Sequence, residues 1–140
     1  MSLMKAATQA MPQRRRALVV DDSRQMLDVL CEMIVDEGYD ITRAPDGAAA
    51  LKALSSGHFE LVITDLHMGQ VSGVDILRRA KELCPATVVI IVTGNACIDP
   101  ALDAVRYGVD GYLLKPFTMA DLLESISHCF HKRSLMNTIK

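Results

Sequence analysis

Five short runs of apolar and β-branched residues recur along the chain, and a stretch of helical periodicity follows each one. The runs are RALVV (Arg16–Val20), YDITRA (Tyr39–Ala44), LVIT (Leu61–Thr64), TVVIIV (Thr87–Val92) and GYLLK (Gly111–Lys115). After the first, Leu27, Leu30, Cys31 and Ile34 fall at i, i+3, i+4 and i+7, the spacing of one helix face. Ala50, Leu51 and Leu54 mark a second helix, and Leu77, Ala80 and Cys84 a third. Ala101, Ala104 and Val105 mark a fourth, and Leu122, Leu123, Ile126 and Phe130 the last. Strict alternation of strand and helix implies parallel strands, whose crossovers cover both faces of the sheet. The expected fold is α/β, a (βα)5 doubly wound parallel sheet of five strands.

The boundaries carry their own signals. Ser23 or Asp22 can cap the first helix, and Gly38 ends it. Pro45–Gly47 is a turn that offers Asp46 as the next cap, with Gly57 closing that helix. Ser72 and Asp75 resemble a capping box, and Pro85 stops the helix they begin. Asp99 is expected to cap a helix with Pro100 at its first position, and Gly108 to end it. Thr118 and Asp121 open the last helix. TVVIIV is apolar throughout, as a strand buried on both faces should be.

A chain of 140 residues, half of them hydrophobic, is one domain with enough material for a core. Residues 14–132 are read as that domain. Residues 1–13 are read as a disordered lead-in, and 133–140 as a tail or the start of a linker, with continuation of the last helix as the other reading. A net charge of −2 argues against a protein built to hold nucleic acid. Arg14, Arg15 and Arg16 form a basic run, read as a solvated entry to the first strand. Cys31, Cys84, Cys97 and Cys129 show no metal-type spacing and read as free thiols of a reducing compartment. No apolar run approaches the roughly 20 residues of a membrane span, and the expected location is cytoplasmic.

Polar residues gather at the strand ends. Strand one ends in Asp21-Asp22, strand three in Asp65, strand four in Thr93 and strand five in Lys115. In an open parallel sheet, ligands bind outside the carboxyl ends of the strands, where the strand order reverses. Composition does not force an order, but the flavodoxin-like order 2-1-3-4-5 brings these groups together. Three carboxylates there repel. A like-charge pair about 4 Å apart costs roughly 4 kcal/mol at an effective dielectric near 20. A hard cation would relieve that, and Mg²⁺ suits one or two carboxylates completed by water and phosphate oxygens. Lys115 adds an ammonium and Thr93 a hydroxyl, which together describe a site for a phosphoryl group. Each residue also has a bland reading: Asp22 as a cap, Asp65 as a loop cap, Thr93 as a strand end, Lys115 as a surface lysine. Their coincidence at four strand ends favours the site.

VVDDS, DLHMGQVSG, IIVTGNA and GYLLKPF, in this order and at these spacings, resemble the receiver domain of bacterial two-component response regulators. The likeness runs from Arg16 to His131. It implies that Asp65 accepts a phosphoryl group from a sensor-kinase phosphohistidine. It implies Mg²⁺ on Asp22 and Asp65, supported by Asp21, with the backbone carbonyl of His67 as a further ligand. Lys115 and Thr93 would bind phosphoryl oxygens. Tyr112 would follow Thr93 inward and remodel the face of helix four, strand five and helix five. The Lys115-Pro116 bond is expected to be cis. Gly69 departs from the family, which usually carries proline four residues after the acceptor, and a looser loop is expected. His67 and Asn95 would lie near the phosphoryl group.

The implied partners are a sensor histidine kinase or phosphotransfer protein and an output domain or downstream protein. No nucleic acid or membrane is engaged, and a homodimer through helix four, strand five and helix five is one expected assembly. The implied role is that of a signalling phosphoacceptor rather than an enzyme. One alternative is a degenerate receiver that only binds protein. Another is a Mg²⁺-dependent phosphohydrolase of the haloacid-dehalogenase type. That family needs a second Asp two residues after its nucleophile, where His67 stands here. A flavin-mononucleotide carrier would need a Ser/Thr/Gly-rich loop where Asp21-Asp22 would repel phosphate. His128 and His131, with no further ligand, read as an exposed helix end.

Overall fold

Buried apolar runs feeding amphipathic helices give the element order β1 (Arg15–Val20), α1 (Arg24–Ile34), β2 (Tyr39–Ala44), α2 (Gly47–Ser56), β3 (Leu61–Asp65), α3 (Gly73–Leu83), β4 (Val88–Thr93), α4 (Ile98–Arg106), β5 (Gly111–Leu114) and α5 (Met119–Ile139). The computed structural model describes residues 15–94 and 98–139. The expected lead-in at 1–13, together with Arg14, Asn95 and Cys97, lies outside the described residues. The strands pair in parallel in the order β2-β1-β3-β4-β5, as the strand-end chemistry favoured.

Side chains of a strand alternate between faces, so β1 feeds two cores. Ala17 and Val19 join Leu27, Leu30 and Ile34 of α1 and Leu122 and Ile126 of α5. Leu18 and Val20 join Leu54 of α2, Ile76 and Leu77 of α3 and Ala104 of α4. Every residue of β4 is buried, as its unbroken apolar run required.

The caps form where polar side chains precede the helices. The Ser23 hydroxyl accepts from the Met26 N–H at 3.3 Å, and Asp46 from the Ala49 N–H at 2.7 Å. Ser72 and Asp75 form a reciprocal capping box. Thr118 and Asp121 exchange equivalent bonds at 3.0 Å. A short 3₁₀ turn, Val35–Glu37, separates α1 from Gly38.

Two expectations need correction, and one open reading is decided. Helix α4 begins at Ile98, so Asp99-Pro100 falls inside its first turn rather than before it; proline's missing N–H is harmless there. Of the two readings of the stretch after residue 132, continuation of the last helix is the one seen, to Ile139, because no Gly or Pro interrupts it. Arg15 and Arg16 are not a simple solvated entry. The Arg15 guanidinium lies 4.2 Å from the centre of the Phe130 ring and that of Arg16 4.6 Å from the Phe59 ring. Cys31, Cys84 and Cys129 are free, and burial pushes the Cys31 and Cys129 thiols up, away from reactivity. No helix among the described residues is long and apolar enough to cross a membrane.

Candidate functional site

Strands β1 and β3 are neighbours, and both run out of apolar residues at the same edge. Val20 pairs with Thr64, so Asp21 and Asp65 emerge side by side. Ligand atoms of Asp21, Asp22 and Asp65 all lie within 4.8 Å of one another. Among the described residues this is the one cluster of three or more potential metal-binding side chains. His128 and His131 enter no such cluster.

Each carboxylate is held by local backbone. The Ser23 N–H donates to Oδ1 of Asp21 at 2.9 Å, and the Leu66 N–H to Oδ1 of Asp65 at 2.8 Å. These bonds leave both Oδ2 atoms toward Lys115. Its Nζ donates to Oδ2 of Asp21 at 3.1 Å and stands 3.8 Å from Oδ2 of Asp65. Asp21 is 1% exposed and Asp65 9%, whereas Asp22 faces solvent. Burial pushes the Asp65 carboxyl above its usual range. The Lys115 ammonium and the Leu66 N–H pull it down, the Asp21 and Asp22 charges push it up, and the net shift is upward.

Thr93 ends β4, opposite Leu114, and is buried. Its carbonyl accepts from the Lys115 N–H at 2.8 Å, which carries Lys115 from the edge strand back over β4. The Lys115-Pro116 bond is cis. Gly94 lies against the lysine stem, 3.9 Å from the Lys115 Cβ to where its own Cβ would be. Tyr112 is half-buried on β5 and packs on the α2–α4 side of the sheet. His67 is exposed on the loop after β3.

The sequence reading thus assembled Asp21, Asp22, Asp65 and Lys115, and Thr93 lies one strand away. It did not name the Ser23 and Leu66 amides that orient the carboxylates. Backbone donors leave no mark in residue type, and only their position after a strand end points to them. The donor set is all oxygen, clustered and partly buried, and it fits a hard divalent cation.

The sequence from residue 17 to residue 127 matches the family described as response regulator receiver domain. The chemotaxis protein CheY of Pseudomonas aeruginosa is 38% identical over 120 residues, 84% of this chain and 97% of that protein. A CheY-like receiver domain protein from Methanospirillum hungatei JF-1 superposes with a TM-score of 0.82 at 28% identity, over 88% of this chain and 98% of that one. A response regulator protein from Burkholderia pseudomallei, solved with a phosphorylated aspartic acid, a calcium ion and citrate, gives 0.74 at 30% identity, over 88% and 75%. The matched span runs from Ala17 in β1 into the first half of α5 and takes in every residue of the acidic cluster, so the chain belongs to the response regulator receiver domain family.

Proposed function

We propose that this receiver domain is a phosphoacceptor switch and that Asp65 is the residue phosphorylated. The observation that carries the reading is the convergence of three carboxylates within 4.8 Å, with the Lys115 ammonium 3.8 Å from Asp65. The Asp65 carboxylate attacks the phosphorus of a kinase phosphohistidine. An O–P bond forms, the N–P bond breaks, and the imidazole leaves with its electron pair. With Oδ1 held by the Leu66 N–H, Oδ2 is the oxygen available for attack. Asp21, Asp22, Asp65 and the His67 carbonyl would hold Mg²⁺, which when bound offsets the charge of the carboxylates and the phosphoryl oxygens. Lys115 moves its ammonium from Asp21 toward a phosphoryl oxygen, and the Thr93 hydroxyl binds another.

Thr93 and Tyr112 then carry the change to the face of α4, β5 and α5. Leu102 and Val105 on α4, Leu114 on β5 and Met119 at the start of α5 are exposed there, which suits docking of a downstream protein, an output domain or a second copy of the domain. The donor partner is a sensor histidine kinase or phosphotransfer protein, which puts the chain in the cytoplasm.

A small phosphodonor such as acetyl phosphate is expected to add one phosphoryl mass in the presence of Mg²⁺, and Asp65→Asn to abolish the adduct. The same adduct on Asp65→Asn, by intact-mass analysis, would refute the assignment. Saturating Mg²⁺ is expected to raise the melting temperature relative to EDTA. At tenfold excess over Kd the stabilisation is about 1.4 kcal/mol. Identical melting curves in the two buffers would remove the metal site.

A further inference from the structure

The loop from Leu66 to Ser72 carries the proposed acceptor's neighbours into α3, and it is fastened at both ends. At one end the Gly73 N–H donates to the Leu66 carbonyl at 2.8 Å. A Cβ on Gly73 would overlap the Asp65 carbonyl oxygen and stand 2.9 Å from the Leu66 Cα. Leu66 and Met68 are buried in the α2–α4 core, and Val71 packs against it, while His67, Gly69 and Gln70 face solvent. The remaining fastening comes from outside the loop. Gly47 opens α2, and a Cβ there would overlap the Val71 Cβ and stand 2.5 Å from its Cγ1 and 3.1 Å from its carbonyl oxygen. Asp46 caps that same turn by accepting from the Ala49 N–H, which fixes the turn's own geometry.

We infer that Gly47 is a positioning residue for the acceptor loop: its missing side chain lets α2 clamp Val71 and so sets where the loop holds the His67 backbone beside Asp65. The inference rests on the metal and phosphoryl reading of that site. It adds to it a residue that touches neither group and lies 18 positions before Asp65 in the chain. Gly69, with φ +75°, supplies the bend between the buried Met68 and the clamped Val71. Proline cannot adopt that angle. A Cβ on Gly69 would meet nothing within 4 Å, so the loop makes its close contacts at Val71 and Gly73 rather than at the bend.

The test is a double-mutant cycle with Gly47→Ala, Val71→Gly and the pair, read as Mg²⁺ Kd by calorimetry and as the rate of labelling by acetyl phosphate. Gly47→Ala is expected to weaken Mg²⁺ about tenfold, the lower end of what outer supports of a metal site are worth. It should also raise deuterium exchange at residues 67–71. In the Val71→Gly background, Gly47→Ala should have a much smaller further effect, because the two overlapping side-chain atoms are gone and only the carbonyl oxygen at 3.1 Å remains. If Gly47→Ala does not fold, Val71→Ala removes the packing without a clash and should weaken Mg²⁺ in the same direction. A lowered melting temperature with Mg²⁺ Kd and labelling rate unchanged would make Gly47 merely structural and overturn the inference. Absence of both Mg²⁺ binding and labelling in the parent protein would instead remove the proposed function.

Discussion

Replacing Asp110 with alanine is expected to destabilise the domain by about 3–5 kcal/mol, the range for removing one member of a buried ion pair. For a chain of this length that is a fall of roughly 10–20 °C in melting temperature. Asp110 lies between α4 and β5, at the pole opposite the acidic cluster. Its Oδ2 accepts from Lys81 of α3 at 2.7 Å and from the Val89 N–H of β4 at 2.8 Å, and its Oδ1 from Arg133 of α5 at 2.7 Å. The Lys81 ammonium also donates to the Thr87 carbonyl at 2.6 Å. Side chains of Asp110, Lys81 and Arg133 are 16%, 15% and 29% exposed. Without the carboxylate, two cations face each other in a poorly solvated space.

Burial already pulls the Lys81 amine below its usual range, with Asp110 opposing that pull. Removing Asp110 lowers it further. The deficit is full below the folded amine's lowered value, where both states carry the proton. The deficit shrinks as pH rises toward the ordinary lysine range. Asp28→Ala is the control. It breaks a pair with Arg43 whose side chains are about half exposed, and should leave the denaturant midpoint almost unchanged. Denaturant midpoints of the two variants decide the matter: a loss below about 1 kcal/mol for Asp110→Ala would refute the account.

Asp65→Asn is expected to act in the opposite direction on stability while abolishing phosphorylation. In cation-free buffer at neutral pH it should gain about 0.5–2 kcal/mol, the usual yield of relieving an unfavourable charge. Burial and the neighbouring carboxylates raise the Asp65 carboxyl above its value in the unfolded chain. The folded state therefore binds this proton more readily. Stability falls as pH rises from the ordinary carboxylate range through the raised value, and the penalty is complete above it. Asparagine keeps an acceptor for the Leu66 N–H and carries no charge. Lys115 retains its 3.1 Å bond to Asp21. The gap between parent and variant should open as pH rises and close again on acidification. Saturating Mg²⁺ should reverse the order by stabilising the parent alone. A variant less stable than the parent in EDTA at pH 7 would show that the cluster is not under charge strain.

What could be read from the chain was local. Apolar runs announce β1 to β5, and each carboxylate or ammonium at their ends is placed by the single fact that strands finish where apolar residues stop. Ser23, Asp46 and Ser72 are legible because a cap and its helix are adjacent in sequence. Asp110 was not legible: it stands alone between Val109 and Gly111, and its partners lie 29 and 23 residues away on two helices. Nothing periodic connects them. Arg15 and Arg16 were misread for the same reason, since Phe130 and Phe59 are distant in sequence. Gly47 carried a turn signal, but the side chain it must clear, Val71, belongs to another crossover.

The two-sided burial of β1 has a consequence for how the strand finds its place during folding. A strand with one dry face resists a one-residue slip because the slip would turn its apolar side chains to water. Here Ala17 to Val20 are apolar on both faces, so a slip against Leu61 to Thr64 would leave both cores supplied. The ends of the strand are what differ. Sliding one way would draw Asp21 between β2 and β3, away from the Lys115 ammonium and the Ser23 N–H, and bury a carboxylate without partners. Sliding the other way would lift Arg15 and Arg16 from the rings they cover. Asp21 at one end of the strand and Arg15 and Arg16 at the other therefore act as alignment marks, telling an otherwise ambiguous central strand where to stop.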